Sequence, residues 1–214
     1  MKTNLTWIVM ILDESGSMSS IKSDVIGSFN TFIEEQKKVE GEAYVTLVKF
    51  NSKIEKVFES NIQNVNSLTE NTYVPKNMTK LLDAIGFSIK ETKDKIKLLS
   101  EDQKPEKVLF VITTDGEENS STNFTKEQIF EKIKKFEKKG HVFIYLGANQ
   151  DAFKEGSKIG LSKFNTVTWS ADAQGINSAF MATNNYATKY RNAKSSAEVA
   201  SIDLNQEYKD LNKI

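Results

Sequence analysis

The chain has no cysteine, a single histidine, only two prolines and no excess of charge of either sign. Without cysteine it can form no disulfide, no thiolate nucleophile and no sulfur-ligated zinc or iron centre. Twenty-nine basic and 29 acidic residues balance to zero formal charge, so the overall composition gives no argument for nucleic acid or an anionic membrane as partner. No apolar run approaches the roughly 20 residues of a membrane-spanning helix, and the expectation is a soluble, cytoplasmic protein. The opening MKTNLTWIVMIL carries one lysine and an apolar run but no small-residue cleavage site, and it reads as a first strand, not a signal peptide. With 38% hydrophobic residues over 214 positions, one domain with a sizeable core is expected.

What is present starts at that first strand. Ile8 to Leu12 are consecutive apolar residues, several β-branched, without polar alternation, the pattern of a strand buried on both faces of a parallel sheet. Asp13, Ser15 and Ser17 follow at alternate positions, just past the strand's C-terminal end, where open α/β sheets bind ligands. Their oxygens are hard donors suited to Mg²⁺, Mn²⁺ or Ca²⁺. Ser and Asp after a strand also make turns and helix caps, so the hexapeptide alone carries both readings.

Further along, Ile21, Val25, Phe29, Phe32 and Ile33 mark the buried stripe of a helix over about 19–38. Residues 43–50 read as a strand, followed by a two-residue turn at Asn51 and Ser52 and an antiparallel edge strand over 53–59. Residues 60–78 are polar and irregular, a loop leading to a helix over 80–99. SEDQKPEK reads as a solvated linker. Val108 to Ile112 repeat the opening pattern, ending in Thr113, Thr114 and Asp115. A helix over 125–139, a strand over 141–146, a short helix from Asp151 to about Ile159, a strand over 165–169 and a long helix from Ala173 to Arg191 complete the alternation. This is a doubly wound α/β sandwich with a largely parallel sheet. The domain is expected over 1–194, with 195–214 a tail in which Leu204, Tyr208 and Leu211 space as a short amphipathic helix, packed on the domain or offered to a partner.

Loops after neighbouring parallel strands open onto one edge, which brings Asp13 and Asp115 within reach of each other. Two converging carboxylates repel unless one holds a proton or a cation sits between them. DESGS at Asp13 to Ser17, TKLLDA at Thr79 to Ala84 and TDGE at Thr114 to Glu117 together resemble the von Willebrand factor type A (vWA) domains and their metal-ion-dependent adhesion site (MIDAS). The resemblance implies a Rossmann-like, six-stranded three-layer fold with one antiparallel edge strand. It implies a metal site of Asp13, Ser15, Ser17, Thr79 and Asp115, with the hydroxyls as direct ligands and both carboxylates partly bound through water. Family members often carry glycine where this chain has Asn77, two residues before the threonine; asparagine tolerates the left-handed conformation, and Thr72 is the fallback. Neutral hydroxyls leave the cation's charge uncompensated, which favours a carboxylate from a protein partner as a further ligand. Glu14, Glu117 and Glu118 near this rim read as ordinary solvated acids.

The rival class is a metal-dependent hydrolase or phosphotransferase at the same edge, and a third reading is a structural assembly component whose ion is dispensable. Hydrolysis needs a base beside the ion, and His141 begins its strand, roughly 16 Å away at about 3.3 Å per residue. No G-x-x-x-x-G-K-[ST] phosphate loop is present either. The expected function is a non-enzymatic, metal-dependent protein-binding module.

Overall fold

The computed structural model describes residues 2–149 and 152–212, with side chains described from Leu5 onward. The expected first residue of the short helix, Asp151, lies outside the described residues, as does Gln150 before it. Strands β1 (Lys2–Asp13), β2 (Glu42–Phe50), β3 (Ile54–Asn61), β4 (Pro105–Thr114), β5 (Val142–Ala148) and β6 (Thr166–Trp169) form a six-stranded sheet of order β3-β2-β1-β4-β5-β6. Among the described residues only the β2–β3 pairing is antiparallel. Helices α1 (Lys22–Lys38) and α5 (Ala173–Asn192) cover one face, and α2 (Leu81–Leu98), α3 (Lys126–Glu137) and α4 (Ala152–Lys158) the other.

Alternation along β1 supplies both cores. Ile8, Met10 and Leu12 pack with Val25, Phe29, Phe32 and Phe180, while Trp7, Val9 and Ile11 pack with Ile85, Ile89, Ile129 and Ile133. Every β1 residue from Leu5 to Asp13 is buried, as a central strand with helices on both sides requires. The chain runs outward from β1 to β2 and β3, then returns through α2 to β4 on the other side of β1. The switch in winding direction therefore falls between β1 and β4, which are in parallel register with Leu12 beside Thr113. That boundary is where doubly wound sheets open a crevice at their C-terminal edge.

Two local expectations are corrected, and two others gain detail. The β2–β3 loop has three residues, because Phe50 pairs with Ile54; farther from the turn a bulge between Leu47 and Val48 shifts the register. Residues 62–73 are irregular, as expected, but their apolar members turn inward: Ile62, Val65, Leu68 and Tyr73 are buried in the α1–α5 core. Pro105 is buried at the first position of β4 and is not part of a linker, its fixed φ suiting a strand start. The tail carries two helices, α6 (Ser196–Ala200) and α7 (Leu204–Leu211), with Leu204 fully buried in the same core. Among the described residues no helix is long and apolar enough to cross a membrane.

Candidate metal centre

Asp13 ends β1 with no exposure, its carboxylate held on both oxygens. Oδ1 accepts the amide of Ser15 at 2.7 Å, and Oδ2 accepts the Thr114 hydroxyl of β4 at 2.6 Å. The Tyr73 hydroxyl donates to the Asp13 carbonyl at 2.6 Å, fixing the strand end from the opposite side. Burial pushes the Asp13 carboxyl up to about 6; hydrogen bonds from Thr114 and Ser15 oppose that rise, and the neighbouring Asp115 charge adds to it. Asp115 is raised as well, chiefly by burial, with the Ser17 hydrogen bond acting against it.

Ser15 precedes a short 3₁₀ helix over Gly16–Ile21, which turns the chain back so that its alternate hydroxyls point the same way. Ser15 Oγ lies 3.2 Å from Ser17 Oγ, and Ser17 donates to Asp115 Oδ1 at 2.6 Å. The two loops are thereby joined across 98 positions of sequence. Thr79, only 3% exposed, completes the cluster: a methyl group built on Gly116 would lie 3.4 Å from Thr79 Oγ1 and 3.7 Å from Ser17 Oγ. Both hydroxyls therefore face the same small space beside Gly116. Thr72, the fallback, instead hydrogen-bonds Thr69 within an exposed turn.

Asn77 sits at φ 66, the left-handed conformation its amide side chain tolerates, and its carbonyl accepts the Gly16 amide at 3.0 Å. Thr79 is pinned by Asn119: its amide donates to Asn119 Oδ1 at 2.9 Å, and its carbonyl accepts the Asn119 amide at 3.2 Å. Asp83, buried on the first turn of α2, accepts the amides of Thr122, Asn123 and Phe124 at 2.8–3.0 Å and so anchors the loop after β4.

Two of the three rim glutamates are not solvated. Glu14 is buried and pairs with Lys49 at 2.8 Å while accepting the Val74 amide at 2.7 Å. Glu118 caps α2 through the Leu82 amide at 2.8 Å and also accepts from Ser120 and Ser121. Only Glu117 is exposed. Sequence reasoning noted Thr114 without giving it a role and did not identify Tyr73, Lys49 or Asn119; none of these carries a local pattern, since each acts on a residue distant in sequence. Thr114, being directly before Asp115 on the neighbouring strand, had the one available signal.

The residues fit a hard divalent cation. The candidate donors, two carboxylates and three hydroxyls, are all oxygen, the kind a hard cation takes; among the described residues no three His, Cys, Asp or Glu side chains come together as a metal-binding group. Ser17 spends its hydrogen on Asp115, so of its two lone pairs one can accept from Ser15 and the other can face a cation. Two carboxylates raised by burial are the groups a cation would relieve.

A doubly wound α/β domain with an all-oxygen cluster at its switch point is the class that fold and site define. The von Willebrand factor type A domain profile matches residues 8–182, and the chain belongs to that family. No curated protein sequence is significantly similar to it. Similar solved structures include proximal thread matrix protein 1 from the mussel byssus with a zinc-occupied MIDAS motif, at TM-score 0.57 and 14% identity over 86% of this chain and 46% of that one. The vWF domain of the pilus tip protein Mfa5 from Porphyromonas gingivalis gives 0.57 and 10% over 84% and 95%. The pilus adhesin SpaC from Lactobacillus rhamnosus GG gives 0.60 and 12% over 88% and 30%. The chain spans less than half the length of the mussel and Lactobacillus proteins, and at these identities the likeness is one of fold.

Proposed function

We propose that this domain binds a protein partner through a divalent cation, Mg²⁺ or else Mn²⁺ or Ca²⁺, held by Asp13, Ser15, Ser17, Thr79 and Asp115. The observation that carries the reading is the convergence of Ser17 on Asp115 and Thr79 beside Gly116, at the β1–β4 switch point. When bound, the cation supplies charge that neutral hydroxyls do not compensate, and with it an affinity for an Asp or Glu carboxylate of the partner. Ser15, Ser17 and Thr79 orient lone pairs inward. Asp13, locked by Thr114 and Ser15, holds its charge in place from beneath. The adhesion and pilus proteins among the similar structures are consistent with an interaction role.

A non-enzymatic reading is supported by the position of the chain's one imidazole. His141 immediately precedes β5, at the N-terminal edge of the sheet, whereas Asp13 and Asp115 lie at the C-terminal edge. Affinity capture on the immobilised domain in Mg²⁺ and in EDTA, with Asp13→Ala alongside, tests the reading. A partner retained in Mg²⁺ and released both by EDTA and by the substitution supports it; retention indifferent to both contradicts it.

A further inference from the structure

Beside the candidate metal centre a groove of about 650 Å³ opens between the β2–β3 hairpin and residues 71–77. It is continuous with the metal loop: Glu14 and Asn77 line it, Glu14 follows Asp13, and the Asn77 carbonyl holds the Gly16 amide. Its charged lining is Lys49, Lys53 and Lys76 against Glu14 and Glu55. Both glutamates already face the buried Lys49, Glu14 at 2.8 Å and Glu55 at 3.9 Å. Lys53 and Lys76 are exposed, and among the described residues neither ammonium has an ion-pair or hydrogen-bond partner. The exposed side chain of Val74 adds an apolar contact on the same wall.

Two uncompensated cations on the lip of a concave surface concentrate a positive potential there. In an extended chain, alternate side chains share one face, so a carboxylate engaged at the metal centre can be followed by acids two and four positions on. We propose that this groove receives an acidic, extended segment of the protein partner, its first carboxylate at the metal centre and the next acidic side chains against Lys53 and Lys76. The proposal rests on the metal-centre reading above and adds a partner chemistry that the metal alone does not specify. A nucleic acid is disfavoured because the same wall also presents Glu14 and Glu55, and the chain as a whole has no net charge.

The test is an NMR titration of the whole chain in Mg²⁺ at low salt with two blocked peptides, Gly-Asp-Gly-Glu-Gly-Glu-Gly and its counterpart with both Glu replaced by Gln. Two exposed ion pairs are together worth about a 2- to 30-fold gain in affinity. The triacid peptide is expected to bind that much more tightly, and the preference to vanish in Lys53→Glu/Lys76→Glu and in about 0.5 M salt. It should survive in Lys135→Glu/Lys138→Glu, which changes the net charge equally on α3 and just after it. Equal affinity of the two peptides for the unaltered protein, a preference unaffected by Lys53→Glu/Lys76→Glu, or no triacid binding at millimolar concentration overturns the proposal. The metal reading fails separately, if the all-Gln monoacid peptide binds equally in Mg²⁺ and in EDTA.

Discussion

Thr114 donates its hydroxyl to the buried Oδ2 of Asp13 at 2.6 Å, a bond between β4 and β1 at the point where the winding of the sheet reverses. It lets a carboxylate with no solvent contact stay in place, although burial raises that carboxyl to about 6. The domain thus holds a poorly solvated acid where a cation can repay its burial.

Asp13→Asn removes that buried charge. Thr114 keeps an acceptor in the Gly116 carbonyl at 3.1 Å, so the amide can be accommodated. In EDTA at pH 8 the variant is expected to be more stable than the parent by about 1–3 kcal/mol, since each unit of raised carboxyl pKa costs about 1.4 kcal/mol once the group is ionised. Urea unfolding measures it, and Mg²⁺ should raise the midpoint of the parent only.

Lys49 and Glu14 form a pair with each side chain 8% exposed. Lys49→Met leaves Glu14 buried without its cation and is expected to cost about 3–5 kcal/mol. Adding Glu14→Gln keeps the acceptor for the Val74 amide and should recover most of that loss. A double-mutant cycle by chemical denaturation checks both values.

Asp83→Ala strips the loop after β4 of its acceptor for the amides of Thr122, Asn123 and Phe124. The expected loss of stability is about 2–4 kcal/mol, from unmade hydrogen bonds to a charged group. Because the same loop carries Asp115 and Asn119, which holds Thr79, Mg²⁺ affinity should fall about 10- to 100-fold, as for other supports of metal ligands. Calorimetry on the folded variant reads the second effect independently of the first.

His141 is largely buried against Phe136, with ring centroids 5.4 Å apart, and burial lowers its pKa to about 4, with Lys139 adding to the effect. A folded-state pKa below the unfolded 6.5 means that the neutral ring's contribution is complete above pH 6.5 and is lost as pH falls towards 4. Stability should therefore drop by about 1 kcal/mol per pH unit in that window, discounted for residual exposure. His141→Phe keeps the ring contact and should flatten the slope, as measured by thermal melts between pH 4 and 7.

Much of this was legible from residue order. The apolar run into Asp13 and its echo into Asp115 located two adjacent strands, because a strand buried on both faces must be continuous in apolar residues. The direction of β3 followed from the shortness of its connection, which is one residue longer than expected because Phe50 pairs with Ile54. Glu14 and Glu118 were not legible. Acids beside a polar loop look solvated until the partners appear, and those partners, Lys49 and the α2 amides, lie 35 and 36 positions away. Pro105 was misplaced in a linker because charged neighbours outweighed its compatibility with a strand start. Asn77 at φ 66 was legible as the residue able to stand where the family often has glycine, whereas Asn119, which reaches back from another loop to hold Thr79, has no sequence signature.

The central claim is tested most directly by calorimetric titration of Mg²⁺ into the protein and into Asp115→Ala, with circular dichroism showing both folded. The account predicts a saturable single-site isotherm for the unaltered chain and none for the variant. Equal Mg²⁺ binding by the two would contradict it.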